Sequence, residues 1–197
     1  MPRARRTRIR TALALTAFAT GIAAGAGLYI GVDGLYVKLT TPPPAPPGAA
    51  AMVAIGNDVA LSASVRPAVQ NAIAGVQACS ESPASGEAVL QQAITTRQDI
   101  LHGLKTLSVA DLPNGAQLVS ALTTAMQQSL DADKDYKAWM ADLASSRTCA
   151  SDPNQDSHFV AAGTTSASAT TSKNAFLAIW NAMAPRYGQP TYSVTGF

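Results

Sequence analysis

Four polar side chains interrupt helical stripes that are otherwise apolar: Arg97, Ser129, Asp133 and Lys173. If the last two predicted helices form a hairpin centred near Pro153, Asp133 and Lys173 face each other, with Arg97 about one to two turns away. Such groups line a pocket for a small anion or polar ligand, or they form a partly buried ion-pair network that fixes helix register. The sequence favours the ion-pair network.

No constellation for catalysis, a cofactor or a metal ion stands out. Asp131, Asp133 and Asp135 imitate the start of a calcium loop. However, Tyr136 replaces the glycine that makes the sharp turn, and the segment reads as continuous helix. His102 fits an ordinary helix surface. We therefore expect a non-enzymatic protein without catalytic residues, cofactor or metal.

Two cysteines follow predicted helices that end at the same pole of a bundle. Cys79 closes the first helix and Cys149 closes the third. Disulfides persist outside the cytoplasm, and closing a loop of this length contributes roughly 4 kcal/mol in the chain-entropy model. The sequence therefore predicts one disulfide, and two free buried thiols are the alternative.

Three clusters of turn-forming residues divide the chain after the linker into helical segments. The expected helices span approximately 50–78, 86–107, 115–148 and 158–184. Each amphipathic segment presents an apolar face, and short loops join them, so the fold class is all-α with an up-down-up-down four-helix bundle. The bundle is expected over 49–188, followed by a C-terminal tail at 189–197. Residues 163–172 are rich in serine and threonine and are either helix or loop.

The N-terminal region has the charge pattern of a membrane-targeting segment. Residues 1–10 contain five arginines and form a basic cytoplasmic tail, whereas 11–32 carry no charge. This run is long enough for a transmembrane anchor with the N-terminus inside and the folded domain extracytoplasmic. A signal peptide cleaved near Ala26, giving a secreted protein, is the alternative. Residues 33–48 contain a proline tract, which favours a semi-rigid linker of ~20 Å.

The charge distribution and the membrane run also bear on partners. From Asp33 onward the chain has nine Lys/Arg against twelve Asp/Glu, a net charge of −3, which argues against nucleic-acid binding. The membrane run contains two small-xxx-small spacings, which allow close helix approach and a homodimer. These spacings join Gly21 to Gly25 and Gly27 to Gly31.

Several short patterns in the ectodomain resemble uncharacterised actinobacterial exported proteins with one N-terminal membrane segment and a helical domain. The resemblance covers most of 85–190 and rests on Arg97-Gln98 with Leu101 and Leu104, Leu112-Pro113-Asn114-Gly115, Ser129 to Asp133 with Tyr136 and Trp139, Lys173 with Phe176, Trp180-Asn181, and Tyr187-Gly188. It implies that the polar network and the aromatic cluster are defining features, and it brings no biochemical activity. The sequence departs from the group at Met183-Ala184-Pro185, because the group tends to place proline straight after the Trp-Asn pair.

Taken together, these features predict a membrane-tethered extracytoplasmic binding or scaffold module that contacts another envelope protein. The alternative is a small-ligand sensor in which Arg97, Asp133 and Lys173 line an interhelical pocket. Such a sensor would signal through a partner, because no second membrane segment follows Phe176.

Overall fold

A computed structural model describes residues 44–146 and 152–197. Within these residues the protein is all-helical, with four α-helices and no strands. The helices are α1 (Ala49–Gln77), α2 (Pro83–Thr106), α3 (Gly115–Ser146) and α4 (Ser157–Met183), and short 3₁₀ helices occupy Pro153–Gln155, Ala184–Tyr187 and Val194–Gly196. The all-α prediction is confirmed, and the predicted helix ends lie close to the observed ones.

Local chemistry explains where the helices begin. The Ser82 side chain accepts a hydrogen bond from the Ser85 N–H, and Pro83 occupies the first turn of α2, where it needs no amide partner. The Asp156 carboxylate accepts from the N–H groups of His158 and Phe159 and so caps α4. These caps satisfy amide groups that have no partner within the helix.

The serine- and threonine-rich start of α4 is helix rather than loop. Its hydroxyl groups donate to main-chain carbonyl oxygens one turn earlier, as in the bonds from Thr164 to Val160 and from Thr170 to Ser166. Within the first half of α4, the small side chains of Ala162 and Ala169 are buried. Capping and packing therefore outweigh the weak helix propensity of these side chains.

Two apolar clusters show that neighbouring helices run antiparallel. One cluster joins the start of α1, the end of α2, the start of α3 and the end of α4, with members such as Met52, Leu104, Leu118 and Trp180. The other joins the end of α1, the start of α2 and the end of α3, with members such as Val76, Leu90 and Leu143, and Phe159 from the start of α4 packs against it. This arrangement is an up-down-up-down bundle.

The last residues of the chain pack onto the helices and do not form a separate tail. Phe197 is fully buried in the first cluster. The indole N–H of Trp180 donates to the Pro190 carbonyl oxygen, and Asn181 exchanges hydrogen bonds with the main chain of Tyr192. The predicted boundary at 188 therefore divides a segment that belongs to the folded unit.

Several predictions concern residues outside the described ranges. They are the basic tail at 1–10, the membrane run at 11–32, the part of the linker at 33–43, and Cys149. Among the residues that are described, no helix is long and apolar enough to cross a membrane. Cys79 comes directly after Ala78, the C-cap residue of α1, and has a positive φ of 59°.

Candidate ligand-binding pocket

A layer of polar side chains separates the two apolar clusters. We call it the polar layer and define it as Ser62, Arg66, Arg97, Ser129, Asp133 and Lys173. Each of the four helices contributes one charged side chain: Arg66 from α1, Arg97 from α2, Asp133 from α3 and Lys173 from α4. Arg97, Ser129, Asp133 and Lys173 are each no more than 9% exposed, so these groups have exchanged bulk water for protein neighbours.

The shortest charged contact in the layer joins α2 to α3. Arg97 Nε lies 2.8 Å from Asp133 Oδ2. Neither atom has a hydrogen-bond partner of acceptable geometry among the described residues, so the contact is an ion pair whose N–H is poorly aligned with the oxygen. Arg97 also donates from Nη1 to the Ser62 hydroxyl across a long 3.5 Å. The guanidinium group is therefore incompletely satisfied by its neighbours.

Ser129 carries a buried hydroxyl with no hydrogen-bond partner among the described residues. Elsewhere in the helices, hydroxyl groups such as those of Thr95 and Thr124 donate to the carbonyl oxygen four residues earlier. A buried hydroxyl without a partner is costly, which makes Ser129 an exception that needs an explanation.

Two further cations approach the C-terminal segment. Arg66 Nη1 donates to the main-chain oxygens of Val194 at 2.6 Å and Phe197 at 2.8 Å. Lys173 Nζ donates to the same Phe197 oxygen at 3.4 Å and lies 5.1 Å from the centre of the Phe197 ring. Arg66 is thus held at short range, whereas the ammonium group of Lys173 makes longer contacts.

These groups surround a cavity of about 250 Å³ that is partly open to solvent. Arg66, Arg97, Ser129, Asp133 and Lys173 all line it. Neutral side chains complete the wall, and those that carry polar atoms are Gln70, Tyr136, Ser166 and Thr170. Five of the six residues of the polar layer therefore line an accessible pocket between helices.

Burial shifts the pKa values of Asp133 and Lys173 toward neutral pH. Loss of water raises the pKa of Asp133 to about 6, against the opposing attraction of Arg97 and Lys173. Burial lowers the pKa of Lys173 to about 8, assisted by repulsion from Arg97 and Arg66 and opposed by Asp133. The Lys173 ammonium group therefore lies in an environment that disfavours its charge.

The structure brings together all four polar residues that the sequence singled out. The closest charged pair is Arg97 with Asp133, nearer than the turn or two expected, and Lys173 lines the same cavity. Sequence reasoning missed Arg66. The signal was present, because Val59, Ser62, Arg66 and Val69 follow helical steps of three and four.

Comparisons with protein-family models, curated proteins and solved structures gave no match. The resemblance to actinobacterial exported proteins accordingly stays a prediction.

Proposed function

We propose that the protein is a non-enzymatic, membrane-tethered extracytoplasmic binding domain whose interhelical pocket takes a small polar ligand. The observation that carries this proposal is the cavity of about 250 Å³, lined by polar side chains from all four helices. A concave site with a few convergent polar groups is the usual form of a small-molecule site. Signalling would pass to a partner protein in the envelope.

The cavity favours a ligand over the ion-pair network that the sequence alone favoured. A network that only fixes helix register is stable when its charges are paired and its polar atoms are hydrogen-bonded. Here Ser129 has no partner among the described residues, and the pKa of Lys173 is lowered toward neutrality. Groups that cost stability without fixing the fold are typical of functional sites.

A scaffold without a ligand is the second candidate, and the Arg97–Asp133 ion pair favours it. In that case the bundle displays a surface to another envelope protein, and the polar layer sets helix register. Single replacement of Asp133 or Lys173 would then destabilise the fold, because each change leaves a charge uncompensated. The pocket proposal expects Lys173→Met to be tolerated.

A thermal-shift screen of the full-length protein in detergent micelles tests the pocket. The panel contains small neutral, cationic and anionic polar compounds at constant ionic strength. A ligand that binds only the folded protein raises the melting temperature, and the rise grows with the ratio of ligand concentration to Kd. The matched variants are Ser166→Phe, which fills the cavity wall, and Ser168→Phe, an exposed position two residues later on the same helix.

Ligand-induced stabilisation in the wild type and in Ser168→Phe, but not in Ser166→Phe, supports the pocket. If no compound class stabilises the wild type, the pocket proposal fails. An equal response in both variants places binding elsewhere and also contradicts it.

The location in the envelope is part of the same proposal. Residues 11–32 form the anchor, 33–48 the spacer, and Cys79 pairs with Cys149. The proposal of a disulfide draws on the approach of α1 to α3, because Val76 and Met140 belong to one cluster and both adjoin Gly86. A homodimer through Gly21, Gly25, Gly27 and Gly31 remains a further proposal.

Intact-mass analysis of membrane and culture-medium fractions from the native host tests this location. We expect a membrane-bound, full-length species that is alkylated at Cys79 and Cys149 only after reduction. A soluble species beginning near Gly27 would instead indicate a secreted protein. Alkylation without prior reduction would contradict the disulfide.

A further inference from the structure

We propose that the pocket takes a small oxyanion, a phosphate or carboxylate group, bound between Arg97 of α2, Ser129 of α3 and Lys173 of α4. This inference rests on the proposed function and names the chemical class of its ligand. It follows from the balance of charge, the unsatisfied donors and the size of the cavity.

The first step is the balance of charged side chains in the lining. Arg66, Arg97 and Lys173 are cationic, and Asp133 is the one acidic side chain among them. Asp133 is already committed to Arg97, which it approaches at 2.8 Å. The repulsion that Arg97 and Arg66 exert on Lys173 is therefore only partly offset. An entering anion would lower that repulsion.

The second step is the supply of hydrogen-bond donors. Ser129 is 5% exposed and is one of the residues that line the cavity, and its buried hydroxyl has no hydrogen-bond partner among the described residues. Arg97 makes one long hydrogen bond to Ser62 and a poorly aligned contact to Asp133. Lys173 retains donor capacity because its ammonium group has three protons and its contact with Phe197 is 3.4 Å long. An oxyanion accepts several such bonds at once, and charge-assisted bonds are the strong ones.

The third step is the size and access of the site. A cavity of about 250 Å³ lies below the range typical of drug-sized ligands, so it fits a compact solute. Gln70 and Thr170 line the cavity and are exposed, which places them at its mouth. A solute can therefore enter from solvent, and neutral amide and hydroxyl groups near the mouth suit the remainder of the molecule.

The test is titration calorimetry of the full-length protein in detergent micelles with inorganic phosphate, succinate and glycerol as probes. Sodium chloride holds the ionic strength constant, because general screening would otherwise imitate a specific effect. We expect saturable binding of phosphate, succinate or both, and none of glycerol. Tighter binding of phosphate indicates a phosphate-bearing ligand, and tighter binding of succinate indicates a carboxylate.

Two variants test whether the anion binds in the cavity. Lys173→Met removes one cation and is expected to weaken binding about tenfold or more, whereas Ser129→Ala removes one hydroxyl and weakens it about three- to tenfold. Their matched controls are Lys105→Met and Ser64→Ala, both exposed positions that do not line the cavity, and these are expected to bind like the wild type.

The outcomes separate the two proposals. If glycerol or a cationic compound binds in the cavity and neither anion does, the oxyanion inference is wrong and the pocket proposal stands. If no probe and no compound of the wider panel binds, both are wrong. Anion binding that Lys173→Met and Ser129→Ala leave unchanged also overturns the inference, because the anion is then bound elsewhere.

Discussion

Arg97 Nε lies 2.8 Å from Asp133 Oδ2 at a point where both side chains are almost completely buried. The pair links α2 to α3 between the two apolar clusters. Despite this neighbour, the pKa of Asp133 is raised to about 6, because burial penalises the carboxylate more than Arg97 and Lys173 stabilise it. The guanidinium group therefore compensates for only part of the cost of burying the charge.

Replacing Arg97 with methionine should destabilise the protein strongly at pH 7. The change leaves the Asp133 carboxylate buried without its nearest counterion, which typically costs about 3–5 kcal/mol. The double variant Arg97→Met/Asp133→Asn should recover much of this loss, because no buried carboxylate remains. Chemical denaturation monitored by circular dichroism measures the free energy of unfolding in each case.

The matched control is Arg186→Met, an exposed arginine whose loss should change stability by no more than about 0.5 kcal/mol. Strictly additive effects of the two polar-layer substitutions would contradict a direct Arg97–Asp133 interaction.

The pKa of Asp133 predicts a dependence of stability on pH. Because this pKa is higher in the folded protein than in the unfolded chain, the folded state binds more protons between about pH 4 and pH 6. The stability that Asp133 contributes is therefore present below about pH 4 and is lost as pH rises through 6.

Asp133→Asn lacks this dependence. Relative to that variant, the wild type should lose up to about 3 kcal/mol of unfolding free energy between pH 4 and pH 7. Denaturation of both proteins across this range measures the difference. A constant difference would show that Asp133 titrates at its ordinary pKa.

The helices were predictable from the sequence because turn-forming clusters separate them and the second and third helices carry clear apolar stripes. The sequence alone did not decide whether the start of α4 is helix or loop, because this segment is rich in serine and threonine. The Asp156 cap that begins the helix is a single residue outside the serine- and threonine-rich segment. The packing of 189–197 left no periodic signal. Its contacts include main-chain oxygens that accept hydrogen bonds from Arg66 and Trp180, and the Phe197 ring, which packs against that of Phe176.

The sequence predicted which residues form the site better than it predicted which of them pair. Polar residues on apolar stripes identified Arg97, Ser129, Asp133 and Lys173. The identity of the closest pair depends on helix rotation to within a fraction of a turn, which sequence spacing does not determine. The cavity itself arises from the mutual packing of all four helices, and no local pattern encodes it.

Replacing Lys173 with methionine should leave the fold as stable as the wild type at pH 7, or more stable. The folded protein holds the pKa of Lys173 at about 8, below that in the unfolded chain, so the charged ammonium group is disfavoured in the native state. The stability that Lys173 contributes is present above the unfolded pKa and is lost as pH falls through 8. The wild type should thus gain up to about 3 kcal/mol relative to Lys173→Met between pH 8 and pH 10.5.

Thermal and chemical denaturation of the two proteins at several alkaline pH values measures this gain. Lys105→Met, at an exposed position, supplies the control and should track the wild type throughout. Marked destabilisation by Lys173→Met at pH 7 would favour the scaffold without a ligand, because it would show that the ammonium group stabilises the fold.

Replacing Phe197 should destabilise the protein as much as replacing a buried core residue of a helix. Its side chain is fully buried, with the ring centre 5.4 Å from that of Phe176 and 5.1 Å from Lys173 Nζ. Phe197→Ala removes these contacts and leaves a cavity, which typically costs about 3–5 kcal/mol. Val160→Ala, at a position that is 49% exposed, should cost no more than about 0.5 kcal/mol. Urea denaturation compares the two variants with the wild type, and equal small effects would mean that 189–197 lies off the bundle in solution, as a separate C-terminal tail.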